Sequence, residues 1–484
     1  MRPTFKLLSD ELIKKILSEA REILCKLGVT LHNKEILKML SDHGAKVDLK
    51  NWHVKFTQKI IDQALKTAPK SFKIYDVLGN ETHEFGGFNV QFVPGSAAIK
   101  VYDAEKEITR LPVTEDFVKF SKLMSRLQNI KSTSTAFIPS DVHEKISDSY
   151  RLYLSLLFCE KPVVTGAFTI EAFGIMRDLQ LAVRGSKPAL KKKPLCVFSC
   201  CPTSPLKWSD VTSQNLVDCA KHGIPVEYIS MPLFGFIAPV TLVGSLIQHT
   251  AETLSGVILS QLTAPGTPIL YGGSPAQFDI RYETTPMGAI ETQMVDCAYN
   301  EIGKFLKLPT QAYIALSDAN LPDAQAGSET GIGAVLAALS GINSISGPGM
   351  LDFESCQSLE KLVIDNEICG SALRLTRGIE PREDFPAIPL FEELLRDKHL
   401  LISKHTRKYL KDEQIFPGPV MNRANFARWK EEGELTLMQR AQSEVKKHLQ
   451  EYTPSRLSKN IKLELTRLMT AEAKKYGMKK LPKA

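Results

Sequence analysis

The sequence lacks the segments that carry a chain into or across a membrane. Its first twenty residues contain no apolar core followed by a small-residue cleavage site, and no uninterrupted apolar run approaches the length of about 20 residues that a transmembrane helix needs. We therefore expect a cytoplasmic protein with no membrane partner. The nine cysteines are scattered, apart from the adjacent Cys200 and Cys201, and in that compartment we expect reduced core residues.

Several spacings that identify catalytic or binding sites are missing as well. The sequence has no local zinc-ligand pair such as CxxC or HxxxH, no GxGxxG that opens a helix after a strand, and no GxSxG elbow. These absences disfavour a zinc site, a dinucleotide-binding fold and a serine hydrolase, so we predict no metal ligands. The net charge of +7 is not gathered into a basic stripe with interleaved aromatic residues, and no nucleic-acid partner is expected.

What the sequence does contain is one repeated unit: a short apolar strand, a turn of small or polar residues, and a helix. The candidate strands cover residues 90–98, 129–136, 162–168, 194–201, 224–231, 267–274, 310–317 and 342–349. Eight parallel strands that alternate with helices close a TIM (β/α)8 barrel, and an open doubly wound sheet is the alternative. The count of eight and the missing GxGxxG favour the α/β class and the closed barrel.

Helical periodicity dominates on both sides of this repeat. We predict a mainly helical N-terminal region over residues 1–86, the barrel over 87–380, and a charged helical C-terminal extension over 381–484.

Chemistry in a TIM barrel takes place at the carboxyl ends of the strands. In this sequence those ends are small residues, with aromatic side chains at or just beyond them (Tyr271, Tyr313, Phe234 and Phe353) and the carboxylates Asp318 and Glu354 nearby. Aromatic faces and carboxylates together recognise a quaternary ammonium, with about 0.5–2 kcal/mol for each cation-π contact. The alternative is structural: the aromatic residues cap the core, Asp323 caps a helix, and His249 is a core histidine.

Four long segments resemble the trimethylamine methyltransferase superfamily, specifically its branch without pyrrolysine, which includes glycine betaine:corrinoid methyltransferases. They lie at residues 272–291, 315–327, 346–370 and 405–429. The resemblance implies a TIM barrel that takes a methyl group from a methylated amine and passes it to Co(I) of a corrinoid. A small separate protein carries this corrinoid, so no cofactor is expected to bind this chain tightly.

One departure from the superfamily concerns the substrate. Trimethylamine enzymes carry pyrrolysine near the end of the seventh strand, whereas residues 313–317 here are ordinary amino acids. We therefore expect a quaternary amine, glycine betaine or a related betaine, instead of trimethylamine. The alternatives are a barrel that only binds a betaine, an enzyme for another methylated amine, and a metal-dependent thiol or methanol-type methyltransferase; homo-oligomerisation is left open.

The expected reaction assigns roles to residues near the strand ends. Asp318 and Gln325 are the predicted catalytic residues. The predicted substrate-binding residues are Phe353, Tyr313, Tyr271, Phe234, Arg281 and Glu354. Arg281 would bind a substrate carboxylate, or would form an ion pair with Asp279 or Glu283. Gly272, Gly273 and Gly347 are predicted to leave room for the edge of the corrin.

Overall fold

A closed ring of eight parallel strands forms the centre of the computed structural model, which describes residues 1–483. Each strand falls within one of the eight predicted segments, so the predicted TIM barrel is confirmed. In order around the ring the strands are β6 (Gln91–Val93), β9 (Thr133–Ser134), β10 (Val163–Thr165), β11 (Cys196–Cys200), β13 (Val226–Tyr228), β15 (Ile269–Leu270), β17 (Gln311–Tyr313) and β18 (Ser344–Ser346).

The ring is closed by hydrogen bonds at the two places where the named strands do not pair directly. Strands β9 to β15 form one sheet, and β17, β18 and β6 form another. A parallel bridge between Tyr271 and Thr310 joins β15 to β17. At the other seam, the Lys131 amide donates to the Phe92 carbonyl at 3.2 Å, which joins β9 to β6.

Eight helices on the outside return the chain from one strand to the next or follow the last strand. They are α4 (Thr114–Met124), α5 (Ser147–Phe158), α6 (Ile170–Arg184), α8 (Asp210–His222), α9 (Leu242–Thr263), α10 (Ile290–Phe305), α11 (Ala324–Ser340) and α12 (Leu359–Thr376), with the short α7 (Lys187–Lys192) after α6. Asp323 accepts hydrogen bonds from the amides of Gln325 and Ala326, which confirms it as the N-cap of α11.

The loops at the carboxyl ends of the strands contain short strands of their own. These are β7 (Lys100–Asp103), β8 (Ile108–Arg110), β12 (Lys207–Trp208), β14 (Leu233–Phe234), β16 (Ala276–Gln277), β19 (Met350–Leu351) and β20 (Cys356–Gln357). Strand β20 pairs with β7, so the loops after the first and last barrel strands are held together.

The N-terminal region contains three helices and five short strands. Its elements are α1 (Asp10–Lys26), β1 (Val29–Leu31), α2 (Lys34–Asp42), β2 (Lys46–Asp48), β3 (His53–Lys55), α3 (Gln58–Thr67), β4 (Ser71–Tyr75) and β5 (Glu81–Gly86). Helices α1 and α3 pack on α9. The hairpin β4–β5 covers the amino-terminal end of the barrel, where the Tyr75 amide donates to the Pro194 carbonyl just before β11.

The hairpin also fills the lower part of the barrel interior. Phe72, Ile74 and Phe85 form one buried cluster with inward-facing residues of four barrel strands, namely Val93, Val164, Val197 and Leu270. Because this cluster closes the barrel from below, a ligand can enter only from the carboxyl ends of the strands.

Phe85→Ala should therefore destabilise the protein by about 3–5 kcal/mol, since it leaves a cavity in a closed apolar cluster. Urea denaturation followed by circular dichroism measures this change. Leu49→Ala, at a half-exposed turn position of the same region, is the control and should change the free energy of unfolding by no more than about 0.5 kcal/mol. Equal effects of the two substitutions would contradict the role given to the hairpin.

Up to residue 483, the C-terminal extension contains five helices. They are α13 (Ile388–Asp397), α14 (Lys404–Glu413), α15 (Phe426–Glu431), α16 (Leu437–Gln450) and α17 (Lys459–Lys475). Helix α16 packs on α12 and α4, and α17 packs on α5 and α6. The predicted boundaries at 86/87 and 380/381 stay a prediction. Within residues 1–483, no helix combines the length and hydrophobicity that a bilayer crossing requires.

Candidate functional site

Strand register shows which side chains point into the barrel. Residues paired across neighbouring parallel strands point to the same side of the sheet. Val164 is paired with Val197, and Ser199, two residues further along β11, is paired with Glu227. On the opposite wall, Val93 is paired with Ser346, and Ser346 with Tyr313. The interior is therefore apolar near the hairpin and polar near the carboxyl ends.

This polar half is unusual, because branched apolar side chains normally fill the interior of a TIM barrel. Three of its inward-facing side chains contain a buried polar atom without a hydrogen-bond partner: Glu227 Oε2, Gln311 Nε2 and Ser346 Oγ. Buried polar atoms in proteins are nearly always paired. Unpaired polar atoms on three strands that face the same space make this part of the barrel interior a candidate ligand-binding chamber.

Glu227 is the most informative of these residues. It lies in the middle of β13 and is fully buried. Its Oε1 accepts a hydrogen bond from Ser199 Oγ at 2.7 Å. Burial raises the pKa of Glu227 to about 7, although the hydrogen bond from Ser199 acts in the opposite direction. An ionised Glu227 is costly in this position unless a cation lies beside it.

A second carboxyl group, that of Glu354, enters the same space from the loop after β19. Glu354 Oε1 accepts a hydrogen bond from the Ser96 amide at 3.1 Å, and Ser96 Oγ lies 3.2 Å from the Tyr313 hydroxyl. Burial, and after it the charge of Glu227, raises the pKa of Glu354 well above the usual range. We call Glu227, Glu354, Tyr313, Ser96 and Ser199 the barrel cluster.

Backbone conformation places Glu354 in this cluster. Asp352, Phe353 and Glu354 are consecutive non-glycine residues with φ angles of 51°, 53° and 67°. The left-handed region is unfavourable for such residues, and strain of this kind concentrates at functional sites. The turn therefore lowers the stability of the folded protein. The position that it gives to Glu354 explains why the protein contains it.

Tyr313 in the cluster and Cys201 beside it are neutral. The pKa of Tyr313 is raised by burial and then by the charges of Glu354 and Glu227. Cys201, just beyond β11, has a pKa of about 12, chiefly because of burial and then because of the same two glutamates. A thiol with so high a pKa is a poor nucleophile, so the cluster is suited to binding a cation and not to thiol chemistry.

Of the predicted site residues, the structure brings Tyr313 and Glu354 together, with Phe353 on the same turn as Glu354 and partly exposed. Sequence reasoning missed Glu227, Ser199 and Ser96. A signal for Glu227 was available, because it is a single acidic residue within the apolar run of β13.

Asp318 and Gln325 have other partners. The Asp318 carboxylate accepts hydrogen bonds from the amides of Met287 at 2.9 Å and Gly288 at 2.8 Å, so it holds the loop that precedes α10. Burial raises the pKa of Asp318 to about 7. Gln325 is exposed on α11 and donates to Glu329 Oε1. The catalytic roles of Asp318 and Gln325 stay a prediction. The contacts of Asp318 show that it stabilises the loop before α10.

Tyr271 lies outside the barrel interior, contrary to its expected position at the mouth. Strand alternation turns it outward, where its hydroxyl donates to Thr250 Oγ1 on α9 at 3.2 Å. His249 on the same helix is fully buried and shares a hydrogen bond with the Gly272 carbonyl, in agreement with a core histidine. Phe234 is buried in the apolar core.

Arg281 lies at the tip of an exposed loop and forms an ion pair with Asp279 at 2.5 Å. This is the structural alternative that the sequence had left open. Binding of a substrate carboxylate by Arg281 stays a prediction.

The three predicted cofactor-binding glycines are required by close packing. A Cβ atom at Gly272 would lie 2.3 Å from Gln311 Oε1, one at Gly273 would lie 2.2 Å from His249 Nε2, and one at Gly347 would lie 2.3 Å from the Ile314 carbonyl oxygen. The space that these glycines leave is therefore filled by neighbouring protein atoms and not by free volume for a corrin.

Fold and site together define a (β/α)8-barrel enzyme whose chamber is closed below and acidic within. The sequence profile of the trimethylamine methyltransferase family (MTTB) matches residues 1–477, and the chain belongs to this family. The expected family and the expected enzyme class, a methyltransferase, are both confirmed.

Individual relatives span nearly the whole chain. A glycine betaine methyltransferase of Desulfitobacterium hafniense (strain Y51) is 28% identical over 477 residues, which cover 98% of each chain. A trimethylamine methyltransferase, MttB of Methanosarcina thermophila, is 32% identical over 410 residues, which cover 84% of this chain and 85% of the relative. The crystal structure of the Methanosarcina barkeri monomethylamine methyltransferase MtmB superposes with a TM-score of 0.54 at 12% identity, covers 98% of this chain and 89% of its own, and supports the fold.

Proposed function

We propose that this chain moves a methyl group from a quaternary amine, glycine betaine or a related betaine, to Co(I) of a corrinoid carried by a small partner protein. The observation that carries the proposal is Glu227, a buried carboxyl group with a free oxygen in a chamber that opens only at the mouth. Membership of the methyltransferase family supplies the reaction class. The corrinoid is a substrate that the partner delivers.

A quaternary ammonium has no N–H group, so hydrogen bonds cannot recognise it. Negative charge and aromatic faces can do so, and both act more strongly where water is excluded. The Glu227 carboxylate provides the charge, and the aromatic candidates are the ring of Tyr313 in the cluster and the ring of Phe353 on the Glu354 turn. Binding of the cation in turn stabilises the ionised form of Glu227.

The reaction is a displacement at the methyl carbon. The C–N bond breaks with its electron pair left on nitrogen, and Co(I) provides the pair for the new bond. The contribution of this chain is to hold the ammonium with one methyl group directed out of the mouth and to keep water away. The closed lower end of the barrel, with its apolar cluster, ensures that only this one direction is open.

A partner surface surrounds the mouth. Large apolar side chains are exposed on the loops that follow five of the barrel strands: Ile99, Phe168, Met231, Phe236, Ile280, Tyr282 and Leu321. We call these seven residues the apolar rim. Exposed apolar residues grouped in this way typically mark an interaction surface. The rim therefore supports docking of the corrinoid protein over the chamber.

A spectroscopic assay tests the proposed function. The chain is mixed with a reduced corrinoid protein and, in turn, with glycine betaine, other betaines, tetramethylammonium or trimethylamine. Loss of the Co(I) absorption band with appearance of methyl-Co(III) supports methyl transfer and names the amine. A betaine that binds in calorimetry without any spectral change would instead support the binding-only alternative, and activity lost on chelation would support the metal-dependent one.

The pH dependence of the reaction follows from Glu227. We expect kcat/KM for the quaternary amine to rise about tenfold per pH unit below pH 7 and to level off above it, because only ionised Glu227 attracts the cation and its pKa is about 7. Initial rates from about pH 5.5 to 8.5 measure this profile. Glu227→Gln should lose the rise, and a flat wild-type profile would exclude Glu227 as the binding group.

A further inference from the structure

We propose that Glu354 donates a proton to the tertiary amine formed by methyl transfer and thereby traps the product. The inference rests on the proposed function, since a tertiary amine forms only if the methyl donor is a quaternary amine. Displacement of a quaternary amine needs no proton in order to occur. The barrel cluster nevertheless provides a second carboxyl group, that of Glu354, in the chamber where the proposed substrate would bind.

In each of the two carboxyl groups of the cluster, one oxygen accepts a hydrogen bond from the protein. Glu227 Oε1 accepts it from Ser199 Oγ, and Glu354 Oε1 accepts it from the Ser96 amide. The second oxygen of each carboxyl group forms no protein hydrogen bond or ion pair within residues 1–483, and that of Glu227 is buried. One free oxygen can therefore face the cation as a carboxylate while the other carries a proton.

The surroundings favour one shared proton. The titratable groups around the two carboxyls are Cys201 after β11 and Tyr313 on β17, and burial keeps both neutral. Asp352, on the same turn as Glu354, forms an ion pair with Lys100 at 3.1 Å, so these two charges offset each other. Glu227 is fully buried and Glu354 is half-buried, and neither carboxyl group has a basic partner, so one of the two keeps its proton.

The chemical balance assigns the proton to nitrogen after transfer. Before transfer the chamber holds one carboxylate, one carboxylic acid and the quaternary cation. After transfer the nitrogen holds the former C–N electron pair and is neutral. An aliphatic amine is far more basic than a carboxylate, so the Glu354 O–H bond breaks, an N–H bond forms, and the O–H electron pair stays on the carboxylate.

Protonation then prevents the reverse reaction. The neutral amine has a lone pair that can attack methyl-Co(III), whereas the ammonium ion has none. The equilibrium between bound reactants and bound products shifts toward methylated corrinoid by a factor of ten for each unit by which the pKa of the amine exceeds the pKa of Glu354. Glu354 regains a proton from solvent once the amine has left.

Single-turnover stopped-flow experiments test Glu354. The full-length enzyme, saturated with the quaternary amine that it uses, is mixed in excess with Co(I) corrinoid protein. The wild type should form methyl-Co(III) in one complete phase. Glu354→Gln should lose at least about tenfold in the bound equilibrium constant, which gives a partial first phase followed by a slow phase set by amine release.

A matched control and a pH series make the result specific. Glu360→Gln removes another buried carboxyl group, in the first turn of α12, and should keep one complete phase. Wild-type enzyme should itself change to two phases when the pH is raised enough to ionise Glu354, which tests the donor even if Glu354→Gln does not fold.

The two proposals fail in different ways. One complete phase in Glu354→Gln, or in the wild type at every pH, would exclude Glu354 as the donor and leave the proposed function intact. If wild-type enzyme forms no methyl-Co(III) from any quaternary amine, the proposed function fails and the inference fails with it.

Discussion

Glu227→Gln is expected to lower kcat/KM for the quaternary amine by about 30- to 5,000-fold, which corresponds to about 2–5 kcal/mol for the loss of one partner of a buried charge pair. Glutamine keeps the shape of the side chain and can still accept the hydrogen bond from Ser199, but it has no charge for the cation. The methyl-transfer assay measures the change. Retention of wild-type kcat/KM would remove Glu227 from the site.

The same substitution should stabilise the empty enzyme. Burial raises the pKa of Glu227 from an ordinary value near 4.3 to about 7. The folded state therefore loses stability as the pH rises from the unfolded pKa to the folded one, and above about pH 7 the loss reaches about 3–4 kcal/mol. Glu227→Gln should be more stable than wild type at pH 8 and nearly equal to it at about pH 4.

Urea denaturation at the two pH values measures this difference. Glu252→Gln is the contrasting control: Glu252 is also buried, but its oxygens accept hydrogen bonds from Ser204, Ser230, the Leu206 amide and Gln248. Its replacement should destabilise the protein at pH 8, because glutamine cannot accept all four bonds. A gain in stability for Glu227→Gln together with a loss of activity indicates a carboxylate kept for function.

Phe236→Glu is expected to raise the KM for the corrinoid protein by about 10- to 100-fold and to leave binding of the quaternary amine unchanged. Phe236 stacks on Phe278 with ring centroids 4.7 Å apart, yet 64% of it is exposed at the mouth. Stacked, exposed aromatic residues of this kind are frequent hot spots, where a substitution costs about 2 kcal/mol or more. Titration of the corrinoid protein at saturating amine measures the effect.

The control for the rim is Ile379, an apolar residue that is even more exposed than Phe236 and lies elsewhere on the surface. Ile379 follows α12, beside the N-terminal segment that packs at the far end of the barrel from the mouth. Ile379→Glu should leave the KM for the corrinoid protein as it is in the wild type. Equal effects of the two glutamates would place the partner on another surface.

Residue patterns predicted the barrel well because its strands are local features. Each strand is an apolar run bounded by a turn and a helix, and this periodicity is independent of where the strand lies in the ring. Asp323 was recognisable as an N-cap for the same reason, since its partners lie two and three residues away. The family could be identified because its motifs are long and contiguous.

The site was predicted only in part, because its members are far apart in the sequence. Ser96 and Glu354 are separated by 258 positions, and Ser96 and Tyr313 by 217. No local pattern reveals such a pair. Tyr271 was assigned to the mouth because it ends a strand, and the alternation of side chains along β15 turned it toward α9 instead.

The sequence alone determined the order of the elements, the closed barrel and the family of this protein, because apolar periodicity, turn residues and contiguous motifs are local properties of the chain. Only the tertiary structure decided which polar residues share the chamber. That outcome depends on strand register and on one left-handed turn, which together direct Glu227, Tyr313 and Glu354 to a single point, while neighbouring strands and helices close around the glycines and Tyr271.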